Sequence, residues 1–202
     1  MTARVTLIAP AVNAALREAR FDDGEPLEAA GRTRAEELGR ALDPVRTSGG
    51  AGARVLVSPS VRCRETAEAL GFPGAAPVDA LAGCAMGRWR GRTLDALVGE
   101  EEESVAAWLS DPDAAPHGGE SLRALRERVG GWLDAPHPAG RVLVVAEPDV
   151  VRAVVVHALG ADDRVFWRLD VRPLAGVHLS GRSGRWNLRL GGPFTGAGGD
   201  TD

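Results

Sequence analysis

Short apolar runs alternate with longer amphipathic stretches along the chain. Arg4 to Ala9 (RVTLIA), Arg54 to Ser58 (RVLVS) and Arg141 to Ala146 (RVLVVA) each follow a basic residue with β-branched and aliphatic ones. Such brief unbroken runs predict strands buried on both faces. Leu27 to Leu42 is rich in Ala, Leu, Glu and Arg, with Ala35, Leu38 and Leu42 at helical spacing. It predicts a helix, which Asp43-Pro44 is expected to stop.

Ser58-Pro59-Ser60 predicts an N-cap with proline in the first turn of a second helix reaching about Leu70. Gly71 to Pro77 is expected to be loop, and the stretch on to Val98 irregular. Glu100 to Leu109 and Ser121 to Leu133 predict helices separated by the turn Asp111 to Gly119, and Val150 to Leu159 predicts a buried helix. Gly176 to Ser180 and Arg185 to Leu190 read as a hairpin. Thr47 to Gly52 is expected to be a flexible loop, and Gly191 to Asp202 a disordered tail.

Strands that alternate with helices imply an α/β fold, a mainly parallel sheet covered by helices on both faces, here expected as a single domain over residues 1–190. Ligand sites in such sheets gather beyond the C-terminal ends of the strands. The residues just after the three runs are therefore the ones to inspect for chemistry.

Composition narrows the field. Hydrophobic residues make up 44% and charged residues 26% of the 202, the balance of a globular protein. A formal net charge of −4, with no block of consecutive basic residues, argues against nucleic acid as a partner. No apolar run reaches eighteen residues and no cationic leader precedes the first strand, so neither membrane insertion nor export is expected and a cytoplasmic location is. The two cysteines, Cys63 and Cys84, have no metal-ligand spacing and read as small buried hydrophobes. No motif calls for a metal or a cofactor.

Five fragments carry a resemblance. Ser58-Pro59-Ser60-Val61-Arg62 continues into Cys63-Arg64-Glu65-Thr66-Ala67. Around it stand Arg20-Phe21, Glu25-Pro26-Leu27 with Gly31 beyond, Met86-Gly87-Arg88-Trp89-Arg90-Gly91, and Gly118-Gly119-Glu120-Ser121-Leu122. In this order the chain resembles the histidine phosphatase superfamily, the phosphoglycerate-mutase-like proteins. There the first strand ends in Arg-His-Gly, the second leads to Ser-Pro-x-x-Arg-x-x-x-Thr-Ala, and a late strand ends in His-Gly.

The resemblance implies a nucleophilic imidazole, a second imidazole, arginines that hold the phosphoryl oxygens, and a carboxylic acid for the leaving oxygen. Aligned on the strands, this chain has Ala9 and Pro10 in place of the Arg and His of the first motif, Glu147 in place of the second His, and Gly83 where the acid stands. No histidine precedes His117 under any alignment. Of the pocket residues Arg62 remains, with Arg20 and Arg88 as rim candidates for anion binding.

The resemblance thus points to a degenerate member acting as a binding or regulatory protein, with a small anionic ligand, phosphate or carboxylate, as the candidate partner. Two alternatives stand beside it. One is an enzyme with a repurposed pocket, Glu147 or Asp149 serving as acid/base and Arg62 as anion anchor. The other is a residual phosphatase with a different nucleophile. Against an anion-binding Arg62 stands a plainer reading, a buried ion pair between Arg62 and Glu147. His117, His137, His157 and His178 read as satisfied core or surface histidines, the tryptophans as packing, and Glu100 to Glu103 as a solvated helix start.

Overall fold

The computed structural model describes residues 2–47, 54–136, 141–182 and 184–189. The elements in chain order are β1 (Ala3–Ile8), α1 (Ala14–Arg17), α2 (Ala29–Thr47), β2 (Arg54–Val57), α3 (Val61–Ala69), β3 (Ala76–Pro77), α4 (Leu94–Glu100), α5 (Glu102–Ser110), α6 (Leu122–Asp134), β4 (Arg141–Val145), α7 (Pro148–Leu159), β5 (Gly176–Arg182) and β6 (Arg185–Arg189). The expected disordered tail, the tip of the Thr47 to Gly52 loop, Leu190 and His137 lie outside the described residues.

The strands form one sheet of order β3-β2-β4-β1-β5-β6. β3, β2, β4 and β1 run parallel, and the β5-β6 hairpin adds antiparallel to β1. The central runs are buried because helices cover both faces. Val5, Leu7 and Val144 pack under α6 and α7 with Leu125, Val129 and Val154, while Ile8, Val57 and Val145 pack under α2 and α3 with Ala35, Cys63 and Ala67. On α7, Val150, Val151, Val154, Val155 and Val156 are buried together. At up to about 1.5–3 kcal/mol for each such side chain, the apolar surface of this helix accounts for its docking.

Several boundaries differ from the sequence expectation. Helix α2 runs past Asp43-Pro44 to Thr47. A proline removes one ladder hydrogen bond and crowds the preceding turn, which weakens a helix without ending its backbone course. The cap of α3 is Ser60, whose hydroxyl accepts from the Cys63 amide at 3.2 Å, so Pro59 precedes the helix and does not sit in its first turn. The stretch expected to be loop and irregular contains the short edge strand β3 and helix α4, whose cap Thr93 accepts from the Ala96 amide. Pro148 opens α7 two residues before the expected start, the favoured first-turn place for proline.

Two of the motif fragments, Met86 to Gly91 and Gly118 to Leu122, bring their backbones together. The Arg88 amide donates to the His117 carbonyl at 3.0 Å and the Glu120 amide to the Ala85 carbonyl at 2.8 Å. A Cβ on Gly119 would stand 1.7 Å from the Ala85 oxygen, and one on Gly87, which has φ +49°, 2.2 Å from the His117 oxygen. Only glycine permits this approach of two backbones. Trp89, fully buried, stacks with Phe21 and meets Trp108 edge-on, in one cluster with Leu97 of α4 and Val105 of α5.

Candidate functional site

The three sequence runs end level. Ile8 and Val57 are both registered opposite Val145, so Ala9-Pro10, Ser58 and Ala146-Glu147 emerge at one edge of the sheet. The Ala146 amide donates to the Ile8 carbonyl at 3.1 Å and the Ser58 amide to the Val145 carbonyl at 2.8 Å, which carries the ladder just past the last strand residues. Here the parallel strands end and α3 and α7 begin, the usual place for a site in such a sheet.

Arg62 and Glu147 meet at this edge. Each is 6% exposed, and the guanidinium Nη2 of Arg62 is in direct contact with Glu147 Oε2. Arg62 Nε donates to Glu147 Oε1 at 3.4 Å, Ser60 Oγ donates to the same oxygen at 2.7 Å, and Cys63 Sγ lies 3.4 Å from it. The ion pair read from the sequence is therefore present. Burial works against the charge on Arg62, but the charge and hydrogen bond of Glu147 outweigh it and hold the arginine's pKa above its usual value. Burial, with the Glu147 charge beside it, pushes the Cys63 thiol up, so it stays a thiol.

On its other side the guanidinium is held by Asn13. Arg62 Nη1 donates to Asn13 Oδ1 at 3.2 Å, while the same oxygen caps α1 by accepting from the Leu16 amide at 3.0 Å. Asn13 Nδ2 donates to Asp22 Oδ1 and to the Glu25 carbonyl. Sequence reasoning missed Asn13. Its signal was an Asn three positions after the strand-ending proline and immediately before Ala-Ala-Leu-Arg, the pattern of an N-cap.

Of the other positions singled out from the motifs, Ala9 and Pro10 follow β1 at the same edge and Gly83 lies beside Glu147. Ala9 and Pro10 are buried, and the Ala11 amide donates to Thr66 Oγ1 at 3.0 Å, tying the end of β1 to α3. Gly83 faces Glu147 and Asp149; a Cβ there would lie 3.2 Å from Glu147 Cγ and 3.5 Å from Asp149 Oδ2. Asp149 accepts from the Cys84 amide at 2.6 Å and the Val150 amide at 2.7 Å. Burial, and next the charge of Glu147, raise the Asp149 pKa to about 6 despite these donors. The Cys84 thiol is pushed the same way by burial.

The two rim candidates do not touch this centre. Arg20 binds Glu18 at 3.0 Å, Asp23 at 3.5 Å and Glu25 at 2.8 Å, and reaches Arg62 only indirectly, through Glu25 and Asn13. Arg88 pairs with Glu101, which also accepts from Trp89 Nε1 and Arg92. Glu101 is thus a junction between α4 and α5, not part of a plain solvated run.

The three described histidines make no contact with Arg62 or Glu147 among the described residues. His157 Nε2 is 2.8 Å from Asp134, and His178 Nδ1 is 3.1 Å from Thr6 Oγ1. His117 departs from the expected satisfied histidine: it is 1% exposed, its Nδ1 accepts from the Gly119 amide, and its Nε2 has no hydrogen-bond partner among the described residues. Burial lowers its pKa, and its ring lies 5.1 Å from that of Trp89.

A mixed sheet with helices on both faces and a site at the ends of its parallel strands defines a phosphoglycerate-mutase-like α/β protein. The chain belongs to the histidine phosphatase superfamily (branch 1), whose family profile matches residues 12–192. No curated protein matches the chain by sequence. Among solved structures, a mycobacterial glucosyl-3-phosphoglycerate phosphatase is 24% identical, with TM-score 0.78 over 93% of this chain and 97% of that one. A structure described as a putative alpha-ribazole-5'-P phosphatase from Escherichia coli is 23% identical, with TM-score 0.79 over 95% of this chain and 97% of that one. A phosphoserine phosphatase from Entamoeba histolytica, 15% identical, has TM-score 0.79 over 93% of this chain and 95% of that one. At these identities the likeness is one of fold. No helix among the described residues is long and apolar enough to cross a membrane.

Proposed function

We propose that this chain uses the phosphatase scaffold without phosphoryl transfer, as a binding or regulatory protein whose former catalytic pocket is held shut by its own Glu147. The observation that carries this reading is the Arg62–Glu147 contact: the retained anion-binding arginine already holds a carboxylate, which Ser60 also binds. A phosphate or carboxylate ligand would have to displace Glu147, and a second negative charge beside it is repelled. Pro10 has no side-chain lone pair and forms no phosphoenzyme, Ala9 offers no guanidinium, and Gly83 offers no acid.

Intact-mass spectrometry after incubation with acetyl phosphate and with p-nitrophenyl phosphate tests the reading. An unchanged mass is expected. A phosphate adduct lost in Arg62→Ala would overturn it and reveal another nucleophile in the same pocket.

A second reading has one observation in its favour. Asp149, with a pKa raised to about 6 and lying beside Glu147, is the kind of carboxyl group that gives and takes protons near neutrality. In that reading Glu147 or Asp149 is acid/base and Arg62 anchors a substrate anion once Glu147 is displaced. The two readings part on whether Asp149→Asn abolishes a turnover or leaves ligand binding unchanged.

A further inference from the structure

A polar cavity of about 310 Å³ opens on the flank of α6, lined by Arg123 and Arg126 from that helix, by Pro112, and by Asp162, Asp163 and Arg164 from the turn that follows α7. It shares no lining residue with the Arg62–Glu147 centre. Arg123 and Arg126 stand three positions apart, so their side chains leave the same face of α6.

Asp163 organises them. It is 7% exposed, with one oxygen 2.8 Å from Arg123 Nη1 and the other 2.6 Å from Arg126 Nε. One buried carboxylate thus forms ion pairs with two guanidiniums, although Arg126 Nε and Asp163 Oδ1 are not aligned for a hydrogen bond. Asp113 binds Arg123 Nε at 2.6 Å, from outside the lining, and fixes that guanidinium further. Beyond Asp113 and Asp163, Arg123 and Arg126 make no ion pair among the described residues. The third arginine, Arg164, makes no side-chain ion pair there either, and Asp162 is occupied in accepting from its backbone amide at 2.9 Å.

The lining has three guanidiniums and two carboxylates, one of them shared by two arginines, and Asp113 beside it brings a third carboxylate. Planar guanidinium forks paired with a buried acid suit a compact oxyanion, and the cavity has room for one. We propose that this cavity is a second, independent anion site that takes the phosphate or carboxylate group of a small molecule, with Arg164 as its exposed cation.

Isothermal titration of the purified full chain with inorganic phosphate and, separately, with citrate tests this at low ionic strength. Arg164 is exposed and its side chain supports no other described group, so Arg164→Ala and Arg164→Glu keep the fold, checked by circular dichroism. The expected result is saturable binding of at least one of the two anions, weakened about tenfold or more by Arg164→Ala, abolished by Arg164→Glu, and reduced as salt is added. Binding of phosphate alone, citrate alone or both assigns the oxyanion class. No saturable binding of either, or binding that both Arg164 variants leave unchanged, overturns the proposal. Neither result bears on whether the chain forms a phosphoenzyme, so the two proposals stand or fall separately.

Discussion

Gly83 and Glu147 fit together because one of them has no side chain. A Cβ at position 83 would lie 3.2 Å from Glu147 Cγ, closer than side chains normally pack, and any longer acid there would enter the space that Glu147 and Asp149 occupy. Positions 83 and 147 thus share one space, so a side chain at the first would compete with the carboxylate at the second.

Gly83→Glu is accordingly expected to destabilise the protein by about 1–3 kcal/mol through overpacking and like-charge repulsion. In a Glu147→Ala background the same substitution is expected to be nearly neutral. Urea unfolding of the two single variants and the double variant checks the coupling, and additive losses would contradict it.

The Arg62–Glu147 pair is buried at both ends. Glu147→Ala leaves an uncompensated guanidinium and Arg62→Ala an uncompensated carboxylate, each at an expected loss of about 3–5 kcal/mol. Replacing both together, Arg62→Met with Glu147→Leu, removes the two desolvation penalties at once and is expected to lose much less than the sum. Equal losses for the double variant and the sum of the singles, measured by denaturant unfolding, would show that the two groups do not interact.

Asp149 gives the fold a pH dependence of known sign. Its folded pKa of about 6 lies above the ordinary carboxylate value, so the folded state holds the proton more tightly than the unfolded chain. The stabilisation linked to that proton is full below the unfolded value near about 4 and is lost as pH rises through about 6, with a slope of at most about 1.4 kcal/mol for each step of one in pH. Asn resembles the protonated acid at all pH values. Asp149→Asn is therefore expected to remove this downward slope and to stabilise the protein at neutral pH relative to its effect near pH 4, as thermal melts across the range would show.

Asp134, the last residue of α6, ties that helix to α7 and to the β5-β6 hairpin. It accepts from the Gly184 amide, from Trp186 Nε1 and, through its other oxygen, meets His157, each at 2.8 Å. Its pKa lies below the ordinary value although burial pushes the other way, because the Trp186 and His157 hydrogen bonds prevail. Asp134→Ala leaves a buried indole N–H without a partner, and a loss of about 1–3 kcal/mol is expected. Asp134→Asn, which keeps an acceptor, should lose less. Tryptophan fluorescence during unfolding would report both.

The fold was legible because three runs of the same apolar pattern could only be buried strands, and their ends marked the site edge. Ser60 and Arg62 were visible through their motif, and Glu147 through its place after RVLVVA. What stayed hidden depended on contacts across the chain. Asn13 looks like an ordinary helix cap until Arg62, 49 positions away, is found on its oxygen. Arg88 looked like a pocket residue because its motif lies near the site in sequence, whereas Glu101 draws it to the α4–α5 junction. Helix α4 was missed because its few apolar positions give too short a period to read, and β3 because a two-residue edge strand is defined by its neighbour β2 rather than by its own residues.

The most direct test of a pocket closed to phosphoryl transfer is the hydrolysis of p-nitrophenyl phosphate by the native chain from acid to mildly alkaline pH. Arg62→Ala and a variant combining Ala9→Arg, Pro10→His and Glu147→His are measured beside it. No hydrolysis by the native chain at any pH is expected, with activity, if the old geometry persists, only in the combined variant. Turnover by the native chain that Arg62→Ala removes would contradict the closed pocket and place a working nucleophile within reach of Arg62.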